Sequence, residues 1–347
     1  MTKTIKIIFS LIIIIFFSTI IVLSTTGIKT NKFNSFISQK IKQNNDKIEI
    51  ELQSIYFKLD IKEVSLFLET ESPKIYYKNN LVPSSKIRVY LDFLSIIKSE
   101  GKIKKVILNL NQFSVDQLKT ISQTFKPSNF QSFIKNKLIK GKINSEVELY
   151  LDINNSLDNF IARGTVLDLN VEISKDLKFK ETSFNFIADQ TDLLLKNFSG
   201  KSELFSIEEG DLKADLSSEI KIETNFTSDI KINREIKKIQ KLFPHLNFIK
   251  NFSNIRARIN NSLKLNFDKT YKLNNFDYKN NGKIINANFD LESLNFDYFL
   301  NKKLNNLSIF DSDIKTNLNP KQKLVSLTGK YSLNKDRKLN FDISQSI

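Results

Sequence analysis

The chain has 347 residues, with 53 Lys and Arg against 38 Asp and Glu, a formal net charge of +15. It contains no Cys and a single His, which excludes disulfides, thiolate nucleophiles, Cys-type zinc sites and iron–sulfur clusters. Apolar residues make up 40% and recur with clear periods, which argues against disorder. The bias toward Ile, Lys, Asn and Phe is that of an AT-rich genome, and it inflates Lys and the net charge. A cysteine-free chain is compatible with an oxidising compartment.

The N-terminus runs from Ile7 to Ile28 without a charge, after Lys3 and Lys6. At roughly 1.5 Å per helical residue this length crosses a hydrocarbon core of about 30 Å. The competing reading is a cleaved signal peptide. The segment Ser24-Thr25-Thr26-Gly27 is a poor A-x-A site, so residues 1–30 are expected to be a retained transmembrane anchor. Next, Phe33, Phe36, Ile37 and Ile41 share one helical face, and 31–45 is expected to be an amphipathic juxtamembrane helix.

From 46 to 347 the pattern is mostly that of strands. Ile48, Ile50 and Leu52 alternate, then Phe57, Leu59 and Ile61. The phase changes across Lys62-Glu63 to Val64, Leu66 and Leu68, which predicts a turn or bulge there. Ile87, Val89, Leu91 and Phe93 give another strand, and Val106, Leu108 and Leu110 the next. Helical insertions are expected near 114–140 and 233–250. Ser114 with Gln117 makes a capping box. Phe130, Phe133, Ile134 and Leu138 mark a second helix that stops at Gly141. Strands resume with Val147, Leu149, Leu151, then Leu167, Leu169, Val171, Ile173, and the Arg163-Gly164 pair reads as a strand start after a turn.

The stretch Asp211 to Asn233 alternates over about twice the usual strand length without losing phase. Even with one hidden turn it makes two full-length strands with one apolar face. Such a face must be covered. A second sheet or a closed barrel would do so; so would lipid acyl chains lying in a partly curled sheet. Periodicity does not separate the two. On the lipid reading the groove lining is Leu149, Leu151, Leu169, Val171, Leu212, Leu216, Ile220, Ile222, Phe226, Ile230 and Ile232.

Little catalytic chemistry is legible. His245 follows a helix-breaking Pro244, and Asp311 with Asp313 reads as a solvated strand face. No P-loop, G-x-S-x-G or H-E-x-x-H pattern occurs. No enzyme, cofactor or metal is expected. The lysines are spread along wet faces, which points away from nucleic acid. The clusters Lys135, Lys137, Lys140 and Lys237, Lys238, Lys241 are the candidates for contact with anionic lipid head groups.

The order of segments resembles a family. A membrane helix and an amphipathic segment precede "KIEIELQSIYFKLDIKEVSLFLETES"; "KIRVYLDFLSIIKSEGKIKKVILNLNQFSVDQL" follows, then helices and "IKGKINSEVELYLD". This layout is similar to that of the AsmA-like proteins, in the YhdP/TamB branch, with Gly141, Gly164, Gly200 and Gly329 placed as strand restarts after insertions. The resemblance implies a mostly β fold: an elongated, curled antiparallel β-sheet groove with a few helical insertions behind an N-terminal transmembrane helix. It implies a single-pass inner-membrane protein, its body in the periplasm, that conducts phospholipids toward the outer membrane. Phospholipids, the inner membrane and an outer-membrane or envelope protein are the implied partners. The chain departs from the branch in being short. The alternative is a non-catalytic assembly protein that recruits a partner through its sheet edges.

Overall fold

The structure, a computed structural model, describes residues 2–31, 34–44, 46–92, 102–124, 127–152, 156–175, 177–217, 219–233, 252–268, 272–291, 305–334, 336 and 338–346. The expected helix near 233–250, with Lys237, Lys238, Lys241 and His245, lies outside them. So do Phe33 and Phe93.

Helix α1 (Thr2–Ser24) opens the chain, and from Thr4 to Ser24 it is long and apolar enough to cross a membrane. The turn after it is closed by Gly27, at φ 72, whose N–H donates to the carbonyl of Val22 at 2.8 Å. Strand β1 (Ile28–Thr30) and helix α2 (Asn34–Asn44) follow, the latter within the expected amphipathic segment. Then come β2 (Ile48–Glu51), β3 (Ile55–Asp60), β4 (Ser65–Glu71), β5 (Lys74–Tyr77), β6 (Asn80–Val82), β7 (Ser84–Leu91) and β8 (Ile103–Ser114). Helix α3 (Val115–Ser122) carries the expected capping box: the Gln117 N–H donates to Ser114 Oγ at 3.3 Å and the Ser114 N–H to Gln117 Oε1 at 2.9 Å. Helix α4 (Asn129–Lys137) does not continue to Gly141, because β9 (Leu138–Leu151) begins directly after it.

The remaining strands are β10 (Leu157–Ser174), β11 (Leu177–Ala188), β12 (Asp192–Lys201), β13 (Phe205–Asp215), β14 (Ile220–Asn233), β15 (Phe252–Phe267), β16 (Leu273–Asp290), β17 (Asn306–Asn319), β18 (Gln322–Leu333) and β19 (Leu339–Ser346). One sheet of 16 strands runs in the order β1-β3-β4-β7-β8 and then β9 to β19 in sequence; β2, β5 and β6 form a separate three-stranded sheet. Each strand thus pairs mainly with its neighbours in sequence. The chain divides into two compact units, 1–134 with 143–164, and 135–142 with 165–347.

The long alternating stretch is the β13–β14 hairpin, its first arm ending at Asp215 and its second starting at Ile220. The alternation survives the turn because Asp215 pairs with Lys221, Ala214 with Ile222 and Leu212 with Thr224. Partners have the same parity, so even residues share one face on both arms.

The four restart glycines, 141, 164, 200 and 329, all lie inside strands, in β9, β10, β12 and β18. Arg163 is likewise interior, held by Glu148 at 2.7 Å. What breaks the strands is a set of bulges at non-glycine residues. Asp168 (φ 53), Glu181 (φ 52) and Asn197 (φ 53) sit in the left-handed region in β10, β11 and β12. In each, the strained residue's N–H finds a side-chain oxygen on a neighbouring strand. Asp168 donates to Ser183 Oγ at 3.3 Å, Glu181 to Asn170 Oδ1 at 3.3 Å and Asn197 to Asp211 Oδ1 at 3.1 Å. A bulge bends its strand and re-phases the side chains. Across Asn197 the face of Leu195, paired with Leu212, is continued by Gly200, paired with Ile207. Across Asp168 the buried set is Val166, Leu169 and Val171, while Leu167 and Ile173, expected to line the same face, are 41% and 47% exposed.

Candidate functional site: an apolar face on each unit

In the second unit the face begins on the hairpin. Lys221, Glu223 and Asn225 on the outward side of β14 are exposed. On the other side Ile220, Ile222, Phe226 and Ile230 are half-buried and only Thr224, Ser228 and Ile232 are buried. Register carries the face onward. Ile222 pairs with Leu265, and Ile230 with Ala257. Ile232 pairs with Ile255, then Ala287 and Ile309 follow on β16 and β17. Leu204 and Ile232 form a small buried cluster, flanked by Phe205, Ile230 and Ile255. At Gly210 an added Cβ would fall 2.4 Å from the Phe198 ring, so the glycine lets that ring lie flat across the strand beside Phe226.

A polar band interrupts the aliphatic rows. Asn261 Nδ2 donates to Ser228 Oγ at 3.0 Å, the Tyr278 hydroxyl donates to Asn261 Oδ1 at 2.8 Å, and Asn280 Nδ2 donates to the Tyr278 oxygen at 3.0 Å. Neutral groups paired this way are shielded at smaller cost than unpaired ones, although the Asn280 carbonyl oxygen is left buried without a partner among the described residues.

The first unit has its own apolar face. Phe57 pairs with Leu68, Leu68 with Val89 and Val89 with Val106, in one cross-strand row. All four are half-buried. One end of the face is closed off, where Ile55, Thr70 and Ile87 are buried.

The opposite face of this unit is the better shielded one: Phe67, Tyr90 and Ile107 form a buried cluster there, beside a group of paired charges. Glu69, 2% exposed, receives Lys58 at 2.7 Å and Arg88 at 2.8 Å, with Lys86 at 3.5 Å. Burial pushes its carboxyl up, but the hydrogen bonds from Lys58 and Arg88 outweigh that and hold it below the ordinary carboxylate range. Asp60 is also held low: burial opposes it, while the Glu63 N–H, the Tyr90 hydroxyl and the Lys62 N–H bind the ionised form. Tyr90, buried and bound to Asp60, is pushed up to about 12. Phe67 stacks on Tyr90 at 5.1 Å, and Lys105 lies 4.4 Å over the Tyr90 ring.

The sequence-derived lining is dispersed over the two units. Leu149 and Leu151 lie half-buried on β9 in the first unit, Leu169 and Val171 buried on β10 in the second. Leu212, Ile220, Ile222, Phe226, Ile230 and Ile232 share the hairpin face, and Leu216 sits in its turn, 47% exposed. Lys135 and Lys137 end α4, Lys140 follows in β9, and Lys137 Nζ donates to the Ile173 carbonyl at 3.2 Å. Sequence reasoning missed the Phe57–Val106 row as a lining, although its alternation was visible, and missed β12 because the Asn197 bulge breaks the period. Among the described residues no three His, Asp or Glu side chains gather as metal ligands. Two surface depressions lie mainly on the wet face and are lined largely by polar and charged side chains, including Asn260, Asn281, Lys283 and Arg258.

Comparison with known protein families, with characterised proteins and with solved structures gave no match.

Proposed function

We propose that the chain is a non-catalytic lipid carrier, tethered by α1 to an inner membrane, whose body lies in the periplasm. It holds phospholipid acyl chains against its apolar sheet faces and passes them toward the outer membrane. The observation that supports this reading is the half-exposure of Ile220, Ile222, Phe226 and Ile230 on one face, where Ile220, Ile222 and Ile230 lie in register with Phe267, Leu265 and Ala257. A closed sandwich would seal such residues between two sheets. Acyl chains lying along them would cover the same surface, at about 25 cal/mol per Å² removed from water. The layout shared with AsmA-like proteins supports the same role and is part of the proposal.

Native mass spectrometry of the detergent-purified chain tests it. Co-purified phospholipid is expected, and a lipid-free preparation overturns the reading. Ile222→Asp combined with Phe226→Asp is expected to abolish retained lipid while circular dichroism stays strand-rich. Loss of the β spectrum instead would identify a closed core, where a buried carboxylate is not tolerated.

One observation favours a second reading, recruitment of an envelope protein by strand addition. Within the described residues β19 pairs only with β18, and it presents Leu339 and Ile343 at 49% and 56% exposure. A photo-crosslinker at Ile343 that traps a protein partner, in a preparation free of lipid, would support this reading over the first.

A further inference from the structure

We infer that the β3–β4 turn is a second membrane contact, dipping into the head-group region of the bilayer that α1 enters; the inference rests on the reading of α1 as an anchor.

The placement follows from register. β1 runs antiparallel to β3, with Ile28 opposite Phe57 and Thr30 opposite Ile55. The residues just before β1 therefore lie beyond Phe57, toward Asp60. Gly27 confirms it: a Cβ there would fall 2.7 Å from the Phe57 carbonyl and from Lys58 Cγ. The helix thus leaves the sheet at the end where residues 61–64 turn into β4, and its apolar span is not buried against the rest of the chain.

The turn itself is built for an apolar surface. Ile61 and Val64 are 61% and 80% exposed. Val64 is also held at φ 47, a conformation that β-branched residues rarely adopt. A solvent-facing turn would more readily use Gly or Asn there; strain kept at an exposed valine marks a site where the side chain is used. The charges agree. Glu63 is turned back to Lys105 at 2.5 Å, so Lys62, exposed and without an ion-pair partner among the described residues, is the outward charge of the tip. Lys62 and exposed Lys29 suit anionic head groups. Leu59 and Leu66, paired directly behind the tip, begin the apolar face of this unit. A tip seated in the bilayer would set that face at the lipid surface.

The chain has no Trp, so single-tryptophan variants report depth. The full chain carrying Val64→Trp, Ile61→Trp, Leu81→Trp or Phe16→Trp is reconstituted into vesicles of phosphatidylcholine and phosphatidylglycerol, with and without lipids brominated near the glycerol end of the acyl chains. Leu81, 54% exposed on β6, is the reference for an exposed apolar residue away from the tip, and Phe16 reports the anchor. The expected result is blue-shifted emission and severalfold stronger bromine quenching at 64 and 61 than at 81. If Phe16→Trp responds to the bilayer and both tip variants emit as in water, the tip contact is wrong and the anchor stands. Quenching at 81 equal to that at the tip also overturns the tip contact. An unshifted Phe16→Trp spectrum overturns the anchor and the tip together.

Discussion

Single residues in this protein hold conformations and charges that a generic strand would not choose. Val64 is the sharpest case, a β-branched residue at φ 47. A left-handed conformation costs about 1–2 kcal/mol for a side-chain-bearing residue. Val64→Gly is therefore expected to raise stability by about 1 kcal/mol in thermal melts followed by circular dichroism, despite the entropy glycine adds to the unfolded chain. Gly210 is the converse. Its missing Cβ leaves room for the Phe198 ring, and Gly210→Ala is expected to cost about 1–3 kcal/mol in the same melts, as overpacking does. Glu69 balances three cations in a shielded place. Replacing it by Gln leaves Lys58, Lys86 and Arg88 facing one another, at a cost of about 3 kcal/mol. Its pKa gives the pH sign. A carboxyl held below its unfolded value contributes stability that is complete above about pH 5 and drains away as pH falls through the folded-state value. Glu69 and Asp60 both act in this sense.

Secondary elements show which local signals survive folding. The Ser114–Gln117 cap was written in four residues and formed as written; Ser114→Ala is expected to lower stability by about 1 kcal/mol, read from denaturant midpoints. The β13–β14 hairpin hid its turn because same-parity pairing kept the alternation in phase. Bulges inside β10, β11 and β12 hid which of their residues share a face. The periodic set Leu167, Leu169, Val171 and Ile173 is split by the bulge at Asp168, which places Leu167 outside and Val166 inside. A bulge needs no Gly or Pro in sequence here, because a neighbouring strand supplies the hydrogen bond that holds it. The lining was legible wherever the period ran unbroken and illegible across these shifts. The short β5 and β6 had too few residues to show a period at all.

At the scale of the whole molecule, strands pair mostly with their neighbours in sequence and the chain divides into two compact units. Such quasi-linear arrangements lose all-or-none unfolding. Calorimetry of the detergent-solubilised chain is expected to show two transitions. Lowering the pH below about 4 should depress the transition of the first unit more. That unit contains shielded Glu69, whereas the depressed carboxyls of the second, such as Asp211 and Asp215, are screened by water and contribute little. A single transition that moves as a whole would show the units to be coupled.

By itself the sequence determined the class of structure: a charge-free segment long enough for a membrane, then two-faced strands with few glycines to interrupt them. Those features are local, set by chain geometry and the transfer of apolar side chains from water. Only the tertiary structure decided which apolar residues share a face, that Leu216 belongs to a turn, and that a shielded carboxylate gathers Lys58, Lys86 and Arg88 from two other strands. Register decides all three. Register depends on turn closure and on bulges held by hydrogen bonds from neighbouring strands, and no window of a single strand contains that information.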